Sequence, residues 1–163
     1  MNEKKYKQLI IFGATGDLAS LKLFPAIYEL YIQDQLPLNF QLIGYGRTAL
    51  AIGDFKNNFQ KSVVAKFGET PKKLDELMKN VYYFSGQYDN VESFQKLEKY
   101  CQELAVGETE RVAYFSVPPN VFGNIVENLA ATLKNSSSPL KIVIEKPFGV
   151  DEKSAEHLFK VIS

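Results

Sequence analysis

A single cysteine, Cys101, and a single histidine, His157, are all this chain holds of the residues that build disulfides, zinc sites and imidazole or thiol catalysis. One thiol cannot close an internal bridge, and such scarcity suits a reducing compartment. Cys101 lies in an amphipathic run and reads as a buried or half-buried helical thiol with no chemical role. His157 falls inside the last predicted helix, a turn or more from any strand end, and reads as a surface residue. Net charge is missing as well: Lys plus Arg and Asp plus Glu both number 19, for a formal charge of +0. No global basic field exists to draw nucleic acid or an anionic membrane, although a local anion site stays open. No apolar run approaches the ~20 residues needed to span a bilayer. Met1-Asn2-Glu3-Lys4-Lys5 leads into an apolar run too short for a signal-peptide core. There is no Gly-Lys-Ser/Thr loop, Cys-x-x-Cys pair or His-Glu-x-x-His, so P-loop and zinc chemistry have no support and no metal is expected. The expectation is a cytoplasmic protein without nucleic-acid or membrane partners.

What is present is an ordinary globular composition. With 163 residues, 45% of them hydrophobic, the chain is one domain's worth and can bury a real core. Residues 1–163 are therefore read as one domain, without internal repeats or low-complexity tracts.

Along it, strand and helix patterns alternate. Gln8–Phe12, Phe40–Tyr45, Val81–Ser85, Arg111–Val117 and Lys141–Glu145 are short, apolar and β-branched or aromatic, as buried strands are. Between them, helices are predicted over Leu18 to about Gln33, Asp54–Phe67, Pro71–Lys79, Val91–Leu104 and Val121–Leu133. A last one is predicted over Asp151–Ile162. Pro25 is expected to break the first into a short turn and a fresh helix; Asp54 and Asp151 are read as caps. Strands separated by helices of this length call for βαβ units. The fold class is α/β, a Rossmann-like doubly wound parallel sheet in three layers with about five or six strands.

In such sheets ligands bind beyond the carboxyl ends of the strands. The first strand runs into Gly13-Ala14-Thr15-Gly16-Asp17-Leu18-Ala19 and then a helix. That arrangement aims free N–H groups and a positive helix end at a phosphate. Gly13 makes the turn, Gly16 lets a pyrophosphate approach, Thr15 adds a hydroxyl, and Ala19 allows close helix–strand packing. Asp17 reads as a helix N-cap, since a carboxylate beside phosphate is repulsive. The competing reading is a strand-to-helix turn that binds nothing, because Gly-x-x-Gly-x-x-Ala is not the commoner Gly-x-Gly-x-x-Gly.

The second strand ends in Gly44-Tyr45-Gly46-Arg47-Thr48, with no acid to hold a ribose 2′-hydroxyl. Arg47 can meet a 2′-phosphate through its planar fork and Thr48 can add a hydroxyl, or Arg47 is simply a solvated arginine. The fifth strand ends in Glu145-Lys146-Pro147-Phe148-Gly149, where Lys146 either faces the nicotinamide end of the crevice or is solvated.

Gly13–Ala19 continued by Lys22-Leu23-Phe24-Pro25-Ala26, then Gly44–Arg47, Tyr114-Phe115-Ser116-Val117-Pro118-Pro119 and Ile144–Gly149, resemble the amino-terminal coenzyme-binding domain of the glucose-6-phosphate 1-dehydrogenase family. The likeness covers essentially the whole chain. It implies an NADP cofactor, glucose 6-phosphate as substrate, and hydride transfer from C1 to NADP⁺ giving 6-phosphogluconolactone in the pentose phosphate pathway. It implies that Gly13, Ala14, Thr15, Gly16, Asp17 and Leu18 form the nucleotide loop and that Arg47 and Thr48 hold the 2′-phosphate. Val117 and Pro118 would lie beside the coenzyme and Asp89 and Asn90 in the adenine-side loop. Lys146 would touch sugar phosphate and coenzyme, with Pro147 beside it. The family's general-base histidine and its substrate-binding β+α domain are expected beyond residue 163, so the chain alone is expected to bind coenzyme weakly and not to turn over sugar phosphate. The full-length protein is expected to be a homo-oligomer. Two alternatives remain: a sugar oxidoreductase of the glucose–fructose oxidoreductase type, and a non-catalytic NADP(H)-binding module.

Overall fold

The computed structural model of the protein describes residues 4–69, 71–133 and 138–145. Five strands, β1 (Lys5–Phe12), β2 (Phe40–Gly46), β3 (Val81–Ser85), β4 (Glu108–Phe115) and β5 (Leu140–Ile144), form one sheet in the order β3-β2-β1-β4-β5. All four pairings are parallel. The helices are α1 (Phe24–Ile32), α2 (Ile52–Phe67), α3 (Leu74–Met78), α4 (Val91–Leu104) and α5 (Phe122–Leu133). This is the expected Rossmann-like α/β architecture, with the first strand in the middle of the sheet.

Side chains alternate across the strands, so each parity builds its own core. Ile10, Phe12, Ile43, Tyr45, Ala113 and Phe115 pack with Phe94, Leu97 and Cys101 of α4 and Ile125, Val126 and Leu129 of α5. Ile11, Leu42, Val81 and Tyr83 pack on the other face, with Phe24, Ile27 and Tyr28 of α1, Phe55 and Phe59 of α2 and Leu77 of α3. Each fully buried large side chain contributes roughly 1.5–3 kcal/mol, and the two clusters make the three layers. Cys101 lies in the first cluster, where burial pushes its thiol from an ordinary 9.0 up to about 12.

The strands extend further than hydropathy suggests at their amino ends. β1 begins at Lys5 and β4 at Glu108, because polar side chains pair across the ladder: Lys5 with Glu108 at 3.6 Å and Lys7 with Glu110. β4 ends at Phe115 rather than Val117, and β5 at Ile144. Deeper in the α4 layer, the Arg111 guanidinium is 2% exposed and donates to Glu98 Oε2 at 2.6 Å and to Gln8 Oε1 at 2.9 Å. Gln8 Nε2 in turn donates to Gln41 Oε1 and to the Cys101 carbonyl, each at 2.9 Å.

Pro25 does not split the first helical segment. The chain is helical from residue 17 and widens into a π turn over Ala19–Leu23, where the Phe24 N–H reaches back to the Ala19 carbonyl. Pro25 then sits in the first turn of α1, where its missing N–H is tolerated. Two predicted caps are corrected. Asp54 lies in the first turn of α2, whose cap position is Ala51 with no side-chain bond. Asp17 is inside the helix, because the Gly16 carbonyl already accepts from Ser20 N–H at 3.2 Å; its carboxylate still complements the positive helix end. The Pro71–Lys79 helix shrinks to Leu74–Met78 because Lys73 before it turns left-handed at φ 59°. The predicted Asp151–Ile162 helix lies outside the described residues.

Candidate functional site

Sheet order reverses between β1 and β4, since β2 leaves β1 on one side and β4 flanks it on the other. At that switch point, over the carboxyl ends of the strands, lies a cleft of about 290 Å³. Its wall is lined by Gly13, Thr15 and Gly16 after β1 and by Arg47 and Thr48 after β2. Tyr88 follows β3, and Ser116, Val117, Pro118, Asn120 and Val121 follow β4. A larger cavity of about 470 Å³ lies towards the amino ends of the strands, between Leu9, Phe40, Val112 and Pro139. It offers no glycine turn and no helix start, so the smaller cleft is the stronger candidate.

The turn after β1 is held tightly from behind. Gly13 N–H and Ala14 N–H both donate to the Tyr45 carbonyl, at 2.9 and 3.1 Å, and Gly16 N–H donates to the Gly13 carbonyl at 3.1 Å. Gly13 has φ +85°, and a Cβ there would stand 2.1 Å from the Ser116 carbonyl oxygen. At Gly16 the nearest atom to an added Cβ is 3.4 Å away, so that glycine leaves room on the open side instead. The N–H groups of Thr15, Asp17 and Leu18 have no backbone partner among the described residues. They are the unsatisfied donors of a helix start, held beside an open cleft.

Arg47 is exposed, and among the described residues no carboxylate pairs with it. Its guanidinium carbon stands 5.8 Å from the centre of the Tyr88 ring, a cation–π distance. Burial raises the Tyr88 phenol above its ordinary 10.0, while the neighbouring Gly13 N–H and Arg47 charge oppose that shift. The loop carrying Arg47 is anchored by Tyr83 Oη, which donates to the Thr48 carbonyl at 2.5 Å. Burial pushes the Tyr83 phenol up to about 12, so this donor keeps its proton throughout the physiological range.

Of the residues singled out in sequence, Gly13, Thr15, Gly16, Arg47, Thr48, Val117 and Pro118 meet around this one cleft. Ala14 does not line it: its side chain is 2% exposed, in the core behind the turn. Asp17 and Leu18 lie at the helix start beside the cleft rather than on its wall. Asp89 and Asn90 are also off the wall, and the Asn90 Oδ1 caps α4 by accepting from Glu92 N–H at 2.8 Å and Ser93 N–H at 3.3 Å. Lys146 and Pro147 lie outside the described residues. The wall also includes Tyr88, Ser116, Asn120 and Val121, which are not among the site residues singled out in sequence. Tyr88 carries a positional signal, being in the loop just past β3. Ser116 carries none in sequence, since a serine at a strand end is commonplace.

The comparisons with known proteins converge on the same reading. Residues 10–163 match the family described as glucose-6-phosphate dehydrogenase, NAD binding domain. The chain belongs to the glucose-6-phosphate dehydrogenase family. Glucose-6-phosphate 1-dehydrogenase of Cyberlindnera jadinii is 37% identical over 159 residues, covering 95% of this chain and 32% of the relative. The chloroplastic enzyme of Nicotiana tabacum is 32% identical over 159 residues, covering 95% of this chain and 27% of the relative. Among solved structures, a glucose-6-phosphate dehydrogenase in complex with its substrate glucose-6-phosphate superposes with a TM-score of 0.86 at 30% identity. It covers 100% of this chain and 35% of its own. Glucose-6-phosphate 1-dehydrogenase from Mycobacterium avium gives 0.81 at 29% identity, over 96% of this chain and 33% of its own. The chain thus spans about a third of the length of these relatives. Residues 10–163 correspond to the NAD binding domain of that family, with the fold and switch-point cleft just described.

Proposed function

We propose that the cleft binds NADP(H), and that the protein of which these residues are the coenzyme half oxidises glucose 6-phosphate at C1 to 6-phosphogluconolactone. The observation that carries the NADP assignment is Arg47, unpaired at the end of β2 where an NAD site usually has an acid. The residues present fit a dinucleotide: Gly16 leaves the approach open, Thr15, Asp17 and Leu18 hold unused N–H donors, and Arg47 and Thr48 wait across the cleft. Bound NADP⁺ would supply the hydride acceptor. The chain's own residues would fix the pyrophosphate against the helix start, hold the 2′-phosphate with the Arg47 fork and lay the Tyr88 ring along the adenosine side. Val117 and Pro118 would keep water from the opposite side. Lys146 is proposed to join sugar phosphate and coenzyme.

Calorimetric titration with NADP⁺ and NAD⁺ tests the assignment. Arg47→Ala should weaken NADP⁺ by about tenfold, the lower end for a charged hydrogen bond because the guanidinium is exposed, and leave NAD⁺ nearly unchanged. The NADP⁺ preference should shrink in high salt. Equal NADP⁺ affinity in wild type and variant would return Arg47 to the solvated surface.

A second outcome concerns turnover. Among the described residues, the cleft wall holds Thr15, Arg47, Thr48, Tyr88, Ser116 and Asn120 but no imidazole or carboxylate. Oxidising an alcohol requires removal of its proton as hydride leaves, and a positioned base contributes about 10²–10⁴-fold. This 163-residue chain with NADP⁺ and glucose 6-phosphate should therefore form no NADPH detectable by absorbance. Turnover comparable to that of a longer relative would show that the base is supplied within these residues.

A further inference from the structure

Ser116 presents an anomaly at the cleft. Its hydroxyl is the one buried side-chain polar group among the described residues that has no hydrogen-bond partner. A buried polar group left unmade is costly, and in native structures such groups call for a partner of some kind. The backbone cannot shift to find one. Ser116 N–H donates to the Phe12 carbonyl at 2.8 Å, and its own carbonyl lies so close to Gly13 that an added Cβ there would stand 2.1 Å away. Only the side chain is free to turn, and one staggered step of χ1 changes where the oxygen points. The residue itself lines the cleft beside Gly13, Gly16 and Val117.

We infer that the Ser116 hydroxyl is a positioning contact for the dinucleotide, taking a sugar–phosphate oxygen on the nicotinamide side. This rests on the proposed NADP(H) reading of the cleft. The side follows from strand order. Arg47 after β2 lies on one flank of β1 and is the candidate for the adenosine 2′-phosphate, while Ser116 after β4 lies on the other flank, across the switch point. A dinucleotide laid across the glycine turn with its adenosine at Arg47 sets its second ribose and adjoining phosphate over β4. A hydroxyl both donates and accepts, so either a ribose hydroxyl or a phosphate oxygen satisfies it. The free protein holds this group unsatisfied, and the bound ligand relieves it.

Two probes separate this role from a merely structural one. NADP⁺ reaches both flanks, whereas adenosine 2′,5′-bisphosphate reaches only the Arg47 flank. Both are titrated calorimetrically into wild type and Ser116→Ala, and the melting temperature of each ligand-free protein is recorded. The expected result is an NADP⁺ affinity about 3–10-fold weaker in Ser116→Ala, the range for one neutral hydrogen bond. The bisphosphate affinity should be unchanged, and the ligand-free melting temperature unchanged or raised, since an unsatisfied hydroxyl has been removed. Unchanged NADP⁺ affinity in the variant, or equal losses with both probes, overturns the inference and leaves the reading of the cleft intact. Wild type that binds neither probe overturns both.

Discussion

Gly13→Ala is expected to destabilise the protein by about 3–5 kcal/mol and to abolish nucleotide binding in whatever fraction folds. Two costs combine. At φ +85° a Cβ strains the backbone, and here it would also lie 2.1 Å from the Ser116 carbonyl oxygen and 2.8 Å from Val117 Cγ1. The strand end cannot retreat, because Ser116 N–H extends the β1–β4 ladder by its bond to the Phe12 carbonyl at 2.8 Å. Any relief must come from moving the turn, which displaces the N–H donors of Thr15 and Asp17. Gly16→Ala is the matched comparison: its added Cβ meets nothing closer than 3.4 Å, so stability should hold within about 1 kcal/mol while nucleotide approach is hindered. Urea denaturation of both variants checks the contrast. A Gly13→Ala protein within 1 kcal/mol of wild type would mean the turn is looser than its geometry indicates.

Arg111→Met should cost about 3–5 kcal/mol without touching nucleotide affinity. The guanidinium is 2% exposed and serves both Glu98 and Gln8; removing it strands a carboxylate that is itself only 17% exposed. Glu98 sits on α4 and has some access to water, which places the expectation nearer the lower bound. Replacing the pair together, as Arg111→Met with Glu98→Leu, should recover part of the loss, because an apolar pair leaves no charge behind. The network lies towards the amino end of β4, while the nucleotide cleft lies past its carboxyl end at Ser116. Folded Arg111→Met should therefore bind NADP⁺ as wild type does. Denaturant midpoints and calorimetry read the two quantities separately, and a cheap Arg111→Met would show that water reaches the network.

Much of the fold and half of the site could be read from residue order alone, and the failures have physical causes. β2 and β3 are legible to within a residue because they are apolar on both faces, as a parallel sheet buried under helices requires. The amino ends of β1 and β4 are not legible in sequence because Lys5, Lys7, Glu108 and Glu110 look like loop residues until their partners across the ladder are known. That Gly13 and Arg47 share one cleft is legible because strand ends in doubly wound sheets converge on one crevice. Ala14 and Asn90 stand off the cleft wall. Motif membership does not say whether a residue faces the ligand, the core or its own helix, and here Ala14 faces the core and Asn90 caps α4. Tyr88 went the other way, since an aromatic ring can serve a core and a ligand wall at once.

The π turn at Ala19–Leu23 acts as a phase adjuster between two obligations. Upstream, the helix mouth must face the cleft with the N–H groups of Asp17 and Leu18; downstream, Phe24 must stack on Phe59 at 4.7 Å and meet Phe55 edge-on at 5.7 Å. A regular α-helix advances about 100° per residue and would tie these two directions rigidly together. The extra residue in the wide turn uncouples them. Deleting one residue there would restore regular winding yet rotate either the mouth or the aromatic stack by more than a quarter of a circle. The segment therefore tolerates changes of side chain more readily than changes of length.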